Sequence, residues 1–412
     1  ILSGLVGSEM CIRDRYSAGL KDATVFVRLQ PASALPYVSL SALPPAVTPI
    51  ATGVPAFVGD IGSGPLNEPV SVASWGEFVA HFGGLDPDRP TAAQVYQYFN
   101  LGGQQAYVVR VAPEPLGGAP ALASYDAALT VLENVPAFDL LLVPDVARPK
   151  NPPDTRLAAH AVTQAQALQA FVILEVPAVL TTPADAVAWW DAQTDLHSTW
   201  AAAYYGQITA VINTSTDPAV TTNTTVTMGP GGTMAGFFAY TDQQEGVWNA
   251  PVNGLPPCDI TAAPTLTLAE RATLATAAIS PLFMLEQAPF VGGARTAAGR
   301  TSRDFMYVEQ RRLYIYVVRT INRALEWTVF APNDNATWAT AVAQTSIFMT
   351  NLWAQGALMG DTPAQAYSVL CGLGSTMTSN DILNGYLMLQ GTYQDLHGVF
   401  YPFTVTQMLS GT

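Results

Sequence analysis

Four short apolar runs, spaced by stretches of helical periodicity, constrain this chain more than any other feature. They lie at 54–59 (Val54-Pro55-Ala56-Phe57-Val58-Gly59), 106–111, 140–143 and 171–176. Near-continuous apolar runs of this length read as strands covered on both faces. Between the first two, a helix is predicted at 74–82, where Ser74 caps and Trp75, Phe78 and Phe82 share one face before Gly83-Gly84. A second, at 91–101, turns Val95, Tyr98 and Phe99 inward and stops at Gly102-Gly103. A third, at 156–169, precedes the fourth run. Strand and helix in alternation predict a mainly parallel sheet with helices on both faces, an α/β fold.

Beyond residue 300 the rhythm changes. A long helix is expected at 307–327, then a short strand at 328–330, then a Pro332-Asn333-Asp334 cap opening a helix that ends near Gly356. Trp338, Val342, Phe348, Met349 and Leu352 recur there at helical spacing. Strands are expected at 365–371, 386–390 and 399–405, and a threonine-rich loop or irregular hairpin at 213–227 on the outer surface. Two extended segments lie near the ends. One carries Tyr37, Val38, Leu40 and Leu43 between Pro36 and Pro44; the other carries Val399, Phe400, Phe403 and Val405. Neither has an evident local pairing partner, and an isolated strand is unstable in water, so each is expected to add to a sheet elsewhere.

Composition decides what such a chain can bind. Only 12% of the 412 residues are charged, about half the usual ~25%, so much of the surface is expected to face other protein. The net charge of −14, with 17 Lys plus Arg and no basic run, argues against a nucleic-acid binder. The most apolar long segment, 305–325, contains Glu309 and four arginines, which argues against membrane insertion. Cys258 and Cys371 are isolated, and with Cys11 they offer neither a disulfide framework nor a zinc spacing; assembly in a reducing compartment fits. Met10-Cys11-Ile12-Arg13-Asp14-Arg15 resembles a translated sequencing adapter, so 1–16 is set aside as an expected artefact in preference to a secretory signal.

The sequence carries no pattern that marks catalytic chemistry. The four histidines, His81, His160, His197 and His397, sit in no nucleophile or triad pattern, and no pair has metal-ligand spacing. No catalytic, cofactor-binding or metal-binding residue is therefore assigned, and the chain is not expected to be an enzyme. The glycine-rich stretches 59–64 and 229–236 lack a phosphate-binding lysine and are expected to be turns. Arg311-Arg312 is open between contact with an acidic partner and an intramolecular bridge.

Motifs in order carry a family likeness. Ala56-Phe57-Val58-Gly59, Gly64-Pro65, Asn67-Glu68-Pro69-Val70, Phe82-Gly83-Gly84, Phe99-Asn100 and Tyr107-Val108-Val109-Arg110-Val111 come first. Pro144-Asp145, Tyr204-Tyr205, Ala235-Gly236, Thr241-Asp242, Gly246-Val247-Trp248, Ala250-Pro251, Asn253 and Gly293-Ala294-Arg295-Thr296 follow. Last are Arg311-Arg312-Leu313, Trp327, Phe330, Pro332-Asn333-Asp334, Leu352-Trp353, Gly356-Ala357-Leu358, Gly360, Ala366, Val369, Cys371, Gly385 and Leu387. From about 37 to 409 the chain resembles the contractile phage tail sheath proteins, which also occur in phage-derived injection systems. It departs from their pattern at Asp395-Leu396-His397-Gly398, before the last strand, and at Thr233.

The resemblance implies an organisation and a role. An N-terminal arm (17–52) and a small α/β unit (53–115) would precede a subtilisin-like sheath domain (116–300), subtilisin-like in topology alone. An α+β C-terminal domain (301–395) and a C-terminal arm (396–412) would follow. The subunit would polymerise with itself as stacked hexameric rings around a tail tube protein and contract, meeting baseplate and tail terminator proteins, with no nucleic acid or membrane insertion. The two extended segments would be arms exchanged between subunits. Its place would be a virion tail or extracellular injection particle assembled in the bacterial host cytoplasm. An α/β hydrolase and another tail or baseplate component are the rival readings.

Overall fold

The computed structural model describes residues 10–12, 25–27, 46–86, 88–112, 122–135, 138–147, 155–213, 223–300 and 302–409. The chain divides at residue 46 into two units. In the first, β1 (Met10–Ile12) pairs antiparallel with β2 (Val25–Val27). Tyr37, Val38, Leu40 and Leu43 lie outside the described residues.

The second unit is built on one nine-stranded sheet. Its strands are β3 (Pro55–Asp60), β4 (Val70–Val72), β5 (Ala106–Val111), β6 (Leu140–Leu142), β7 (Phe171–Glu175), β8 (Ala201–Tyr205), β11 (Asn253–Gly254), β13 (Ile279–Leu285) and β14 (Ala288–Val291). They lie in the order β11-β14-β13-β8-β7-β6-β3-β5-β4. The six central strands, β13 to β5, are parallel to their neighbours, while β4 and the β14–β11 pair run antiparallel at the two edges. The apolar runs account for this, since side chains in β3 alternate between two cores: Ala56 and Val58 face one, Phe57 the other. Because β3 bonds to β5 on one side and β6 on the other, the sheet runs unbroken across the boundary expected at 115/116.

Helices cover both faces. On one lie α3 (Leu122–Leu132), α4 (Arg156–Leu168), α5 (Pro183–Asp191) and α7 (Leu268–Thr276). On the other lie α1 (Trp75–Phe82), α2 (Pro90–Asn100) and α6 (Gly231–Gln244). Ser74 caps α1 by accepting the Glu77 N–H, as its sequence predicted. Residues 229–236 are not a turn: Gly231 opens α6, which is buried along most of its length. A methyl group at Gly232 would lie 2.1 Å from the Gln94 carbonyl oxygen, so the glycines serve close backbone approach of α6 to α2. Residues 214–222 of the threonine-rich stretch lie outside the described residues; on either side of them β9 (Ile208–Asn213) pairs antiparallel with β10 (Asn223–Met228), and β12 (Ile260–Ala262) extends the pair into a separate three-stranded sheet.

Beyond residue 300, α8 (Val308–Ala324) and α9 (Asn335–Ala354) pack under β15 (Tyr367–Cys371), β16 (Tyr386–Gln394) and β17 (Phe400–Met408). The short helices α10 (Pro363–Ala366) and α11 (Ser379–Leu383) complete this part. Asp334 caps α9 through the N–H groups of Ala336 and Thr337. The strand expected at 328–330 is instead a 3-10 turn, Glu326–Phe330. Among the described residues no strand pairs with it, and Thr328 donates its hydroxyl to the Leu325 carbonyl at 2.7 Å.

A larger correction concerns 399–405. Every residue of β17 pairs with β16, from Tyr386↔Met408 to Gln394↔Phe400. The segment therefore has its partner in its own chain. The strand expected at 386–390 runs on through Gly391 to Gln394. A methyl group at Gly391 would lie 2.4 Å from the Phe403 ring, so glycine marks close packing across the pair.

Candidate functional site

Helix α8 joins the two parts of the second unit. Its Leu313, Val317 and Ile321 face the C-terminal core, while Val308 and Ile315 enter the core beneath the large sheet. Arg312, 2% exposed, projects into the seam. Its Nη1 and Nη2 donate to the two carboxylate oxygens of Asp242 on α6, at 2.7 and 2.6 Å, and Nη2 also donates to Asp139 ahead of β6 at 3.0 Å. Burial alone would lower the arginine's pKa; Asp242 and Asp139 outweigh it and raise the pKa, keeping the cation charged. Asp139 also accepts the backbone N–H groups of Gly53 at 3.1 Å and Val54 at 2.7 Å. Ile50 donates its N–H to the Thr320 hydroxyl at 3.3 Å. The entry to β3 at Gly53 and Val54 is thus moored to the same charged cluster, and Ile50 to α8.

A second buried polar node lies at the carboxyl end of β7. Glu175 accepts the Gln94 side-chain amide at 2.8 and 3.0 Å and the Gly231 N–H at 2.5 Å. It occupies the amino terminus of α6, where the helix dipole favours an anion. Burial nevertheless pushes its pKa up to about 7, against the lowering effect of Gln94 and Gly231.

Arg311 faces away from Arg312, toward a cavity of about 360 Å³ lined by aromatic residues. Arg312 is an intramolecular bridge to Asp242 and Asp139, one of the two readings left open by the sequence; Arg311 hydrogen-bonds Thr199 instead, so for it that reading stays open. Sequence reasoning missed Asp139 altogether; the signal available was an aspartate directly ahead of an apolar run.

The residues expected in the C-terminal arm separate into two sets. Phe403 and Val405 are buried in the core beneath α8 and α9, whereas Val399 and Phe400 are exposed. No Asp, Glu, Lys or Arg occurs in β15, β16 or β17. The outward face presents Leu370, Phe400 and Met408 among threonine and glutamine. Among the described residues β15 and β17 are both open edges, each bonded only to β16. Charges and prolines ordinarily blunt such edges; here only Pro402 does so.

The histidines do not converge. His160 contacts Asp126 at 2.9 Å, His197 the Trp190 carbonyl at 3.2 Å and His397 the Glu309 carboxylate at 3.1 Å. Among the described residues, no group of three or more His, Cys, Asp or Glu side chains could hold a metal ion, and no helix is long and apolar enough to cross a membrane.

No family model and no curated protein matches this sequence. Solved structures do. A chain of the anti-feeding prophage baseplate aligns at a TM-score of 0.67 and 24% identity, over 90% of this chain and 96% of that one. The sheath complex of the extracellular contractile injection system PVC, in its contracted state, aligns at 0.66 and 24%, over 94% and 97%. The sheath tail protein of Desulfitobacterium hafniense aligns at 0.60 with 10% identity, over 93% and 100%. The likeness holds over nearly the whole length at identities that speak for architecture alone: this chain has the fold seen in contractile sheath proteins.

Proposed function

We propose that this chain is the structural subunit of a contractile sheath, polymerising as stacked hexameric rings around a tail tube and contracting to drive the tube through a target envelope. The observation that carries this reading is the match in fold over 94% of the chain to a contracted sheath complex. Two features support it independently: the charge-free C-terminal sheet with two open edges, and the internal engagement of the polar groups that might otherwise have suggested chemistry. The middle region is read as subtilisin-like in connectivity, with the start of the C-terminal domain at 301 as expected from sequence; the small unit before residue 116 shares its sheet.

The arms take a revised form. Since β17 is paired at home, the exchanged strand is the segment containing Tyr37, Val38, Leu40 and Leu43, which adds to an open edge of the β15–β16–β17 sheet in a neighbouring subunit. The tube, baseplate and terminator proteins are the remaining partners. The location is a virion tail or extracellular particle put together in a bacterial cytoplasm. Contraction is a switch between two lattices of rigid subunits and needs no catalysis by this chain.

Negative-stain microscopy of the purified full chain tests the reading. Wide hollow cylinders are expected. Monodisperse particles under all assembly conditions, or labelling by a serine-reactive probe, would count against it.

A further inference from the structure

Arg311 is 6% exposed and, among the described residues, has no carboxylate partner. Its Nε donates to the Thr199 carbonyl at 3.3 Å and its Nη2 to the Thr199 hydroxyl at 2.6 Å; a guanidinium has five N–H donors. Otherwise it is surrounded by rings, with its Cζ 3.5 Å from the centroid of Phe305, 4.4 Å from Trp200 and 5.3 Å from Tyr314. Phe305 is held at a φ of 51°, in the left-handed region, and stacks on Tyr401 at 4.3 Å. Burial pulls the Arg311 pKa down to about 10. A buried cation without a counter-ion is costly, and this one opens on the 360 Å³ cavity, whose wall also includes Gln166, Phe400 and Pro402. Asp304 lies on the same rim, exposed, without an ion pair to Arg311.

The matching feature is at the other end of the sheet. β13 and β14 are joined by Glu286-Gln287, a two-residue turn in which φ is 48° and 69°. Such turns favour asparagine and glycine, because positive φ crowds a side chain. Here an exposed glutamate stands at the tip, beside the exposed Leu285. The turn follows the carboxyl end of β13, and Trp200 precedes the amino end of β8. These strands are parallel neighbours with Ile279 opposite Ala203, so at ~3.3 Å per residue the tip and the pocket are separated by roughly 30 Å along the strand direction.

We propose that the Glu286 carboxylate of one copy of this chain enters the Arg311 pocket of the next, with Leu285 against its aromatic rim. A knob and a socket at opposite ends of one body make a heterologous contact, which repeats from copy to copy without being self-complementary. The second copy is the occupant favoured by charge, because this chain carries an excess of acidic residues. The inference rests on the sheath reading and supplies one of its contacts.

The test uses the full chain. Gln166→Cys and Gln287→Cys subunits, co-assembled, are expected to join through a short bismaleimide, and the product should vanish when Arg311→Met is added to the Gln166→Cys subunit. Cylinders in which this pair does not cross-link, or which form unchanged with Arg311→Met, overturn the contact while the sheath reading stands. Should the wild-type chain form no cylinders, that failure belongs to the sheath reading, and the pocket is judged on the soluble chain with 3-phenylpropionate, a carboxylate bearing a ring. Millimolar binding that Arg311→Met abolishes, with unchanged melting, supports the socket; no binding, or binding that Arg311→Met leaves intact, overturns it.

Discussion

Arg312 grips Asp242 with both terminal nitrogens, at 2.7 and 2.6 Å, and so ties α8 to α6 across the seam between the large sheet and the C-terminal core. Asp139 completes the cluster and holds the backbone at Gly53 and Val54. Removing the cation would leave two buried carboxylates facing each other. Arg312→Met is expected to cost about 3–5 kcal/mol in urea unfolding, and to increase hydrogen exchange at residues 50–54 before the rest of the unit.

Glu175 makes stability depend on pH. Its folded pKa of about 7 lies above the ordinary carboxyl value, so the folded state binds the proton more tightly. The resulting stability is fully present below the unfolded pKa of ~4.3 and declines as pH rises through about 7. Between pH 4.5 and 7.5 wild type should lose on the order of 3 kcal/mol relative to Glu175→Gln. Parallel pH–stability curves for the two would remove the carboxylate as the cause.

Shortening the chain to end at Gly398 removes β17 and uncovers Leu389 and Tyr393, which are fully buried beneath it. The expected result is a C-terminal part without fixed packing, seen as lost near-UV dichroism. Phe403→Ala is the milder version, with a cost of about 3–5 kcal/mol.

The α2–α6 contact leaves no room for a side chain at Gly232, where the nearest obstacle is the backbone of Gln94. Gly232→Ala should destabilise by about 1–3 kcal/mol or more, despite alanine's better helix propensity. An increase in melting temperature would contradict the close packing.

Replacing Glu286-Gln287 by Asn-Gly should relieve both positive-φ residues and stabilise the hairpin by roughly 1–2 kcal/mol. The same change removes the knob. Higher melting temperature combined with poorer assembly is the expected pair of results, measured by calorimetry and by sedimentation of assembled material.

Much of the large sheet was legible in the sequence because its signals are local. Apolar runs at 54–59, 106–111, 140–143 and 171–176 became β3, β5, β6 and β7 within a residue or two, and Ser74 and Asp334 cap the helices they precede. Where a local signal had two readings, the sequence erred. Thr328-Val329-Phe330 has strand propensity without a strand to pair with, and the glycines at 229–236 look like a turn until α2 lies against them. The pairing of 400–408 with 386–394 depends on how Gly391 packs under Phe403, a contact between residues twelve apart that no periodicity displays.

The sequence by itself determined an α/β chain with a charge-poor surface and an ordered set of motifs, since strand period, helix period and composition are properties of neighbouring residues. Only the tertiary structure decided what Arg311 and Arg312 do, although they are adjacent. One meets Asp139 and Asp242, residues 173 and 70 positions away, and is neutralised; the other meets aromatic rings and is not. Charge pairing is set by distance in space and by the loss of water around it, and a linear pattern records neither.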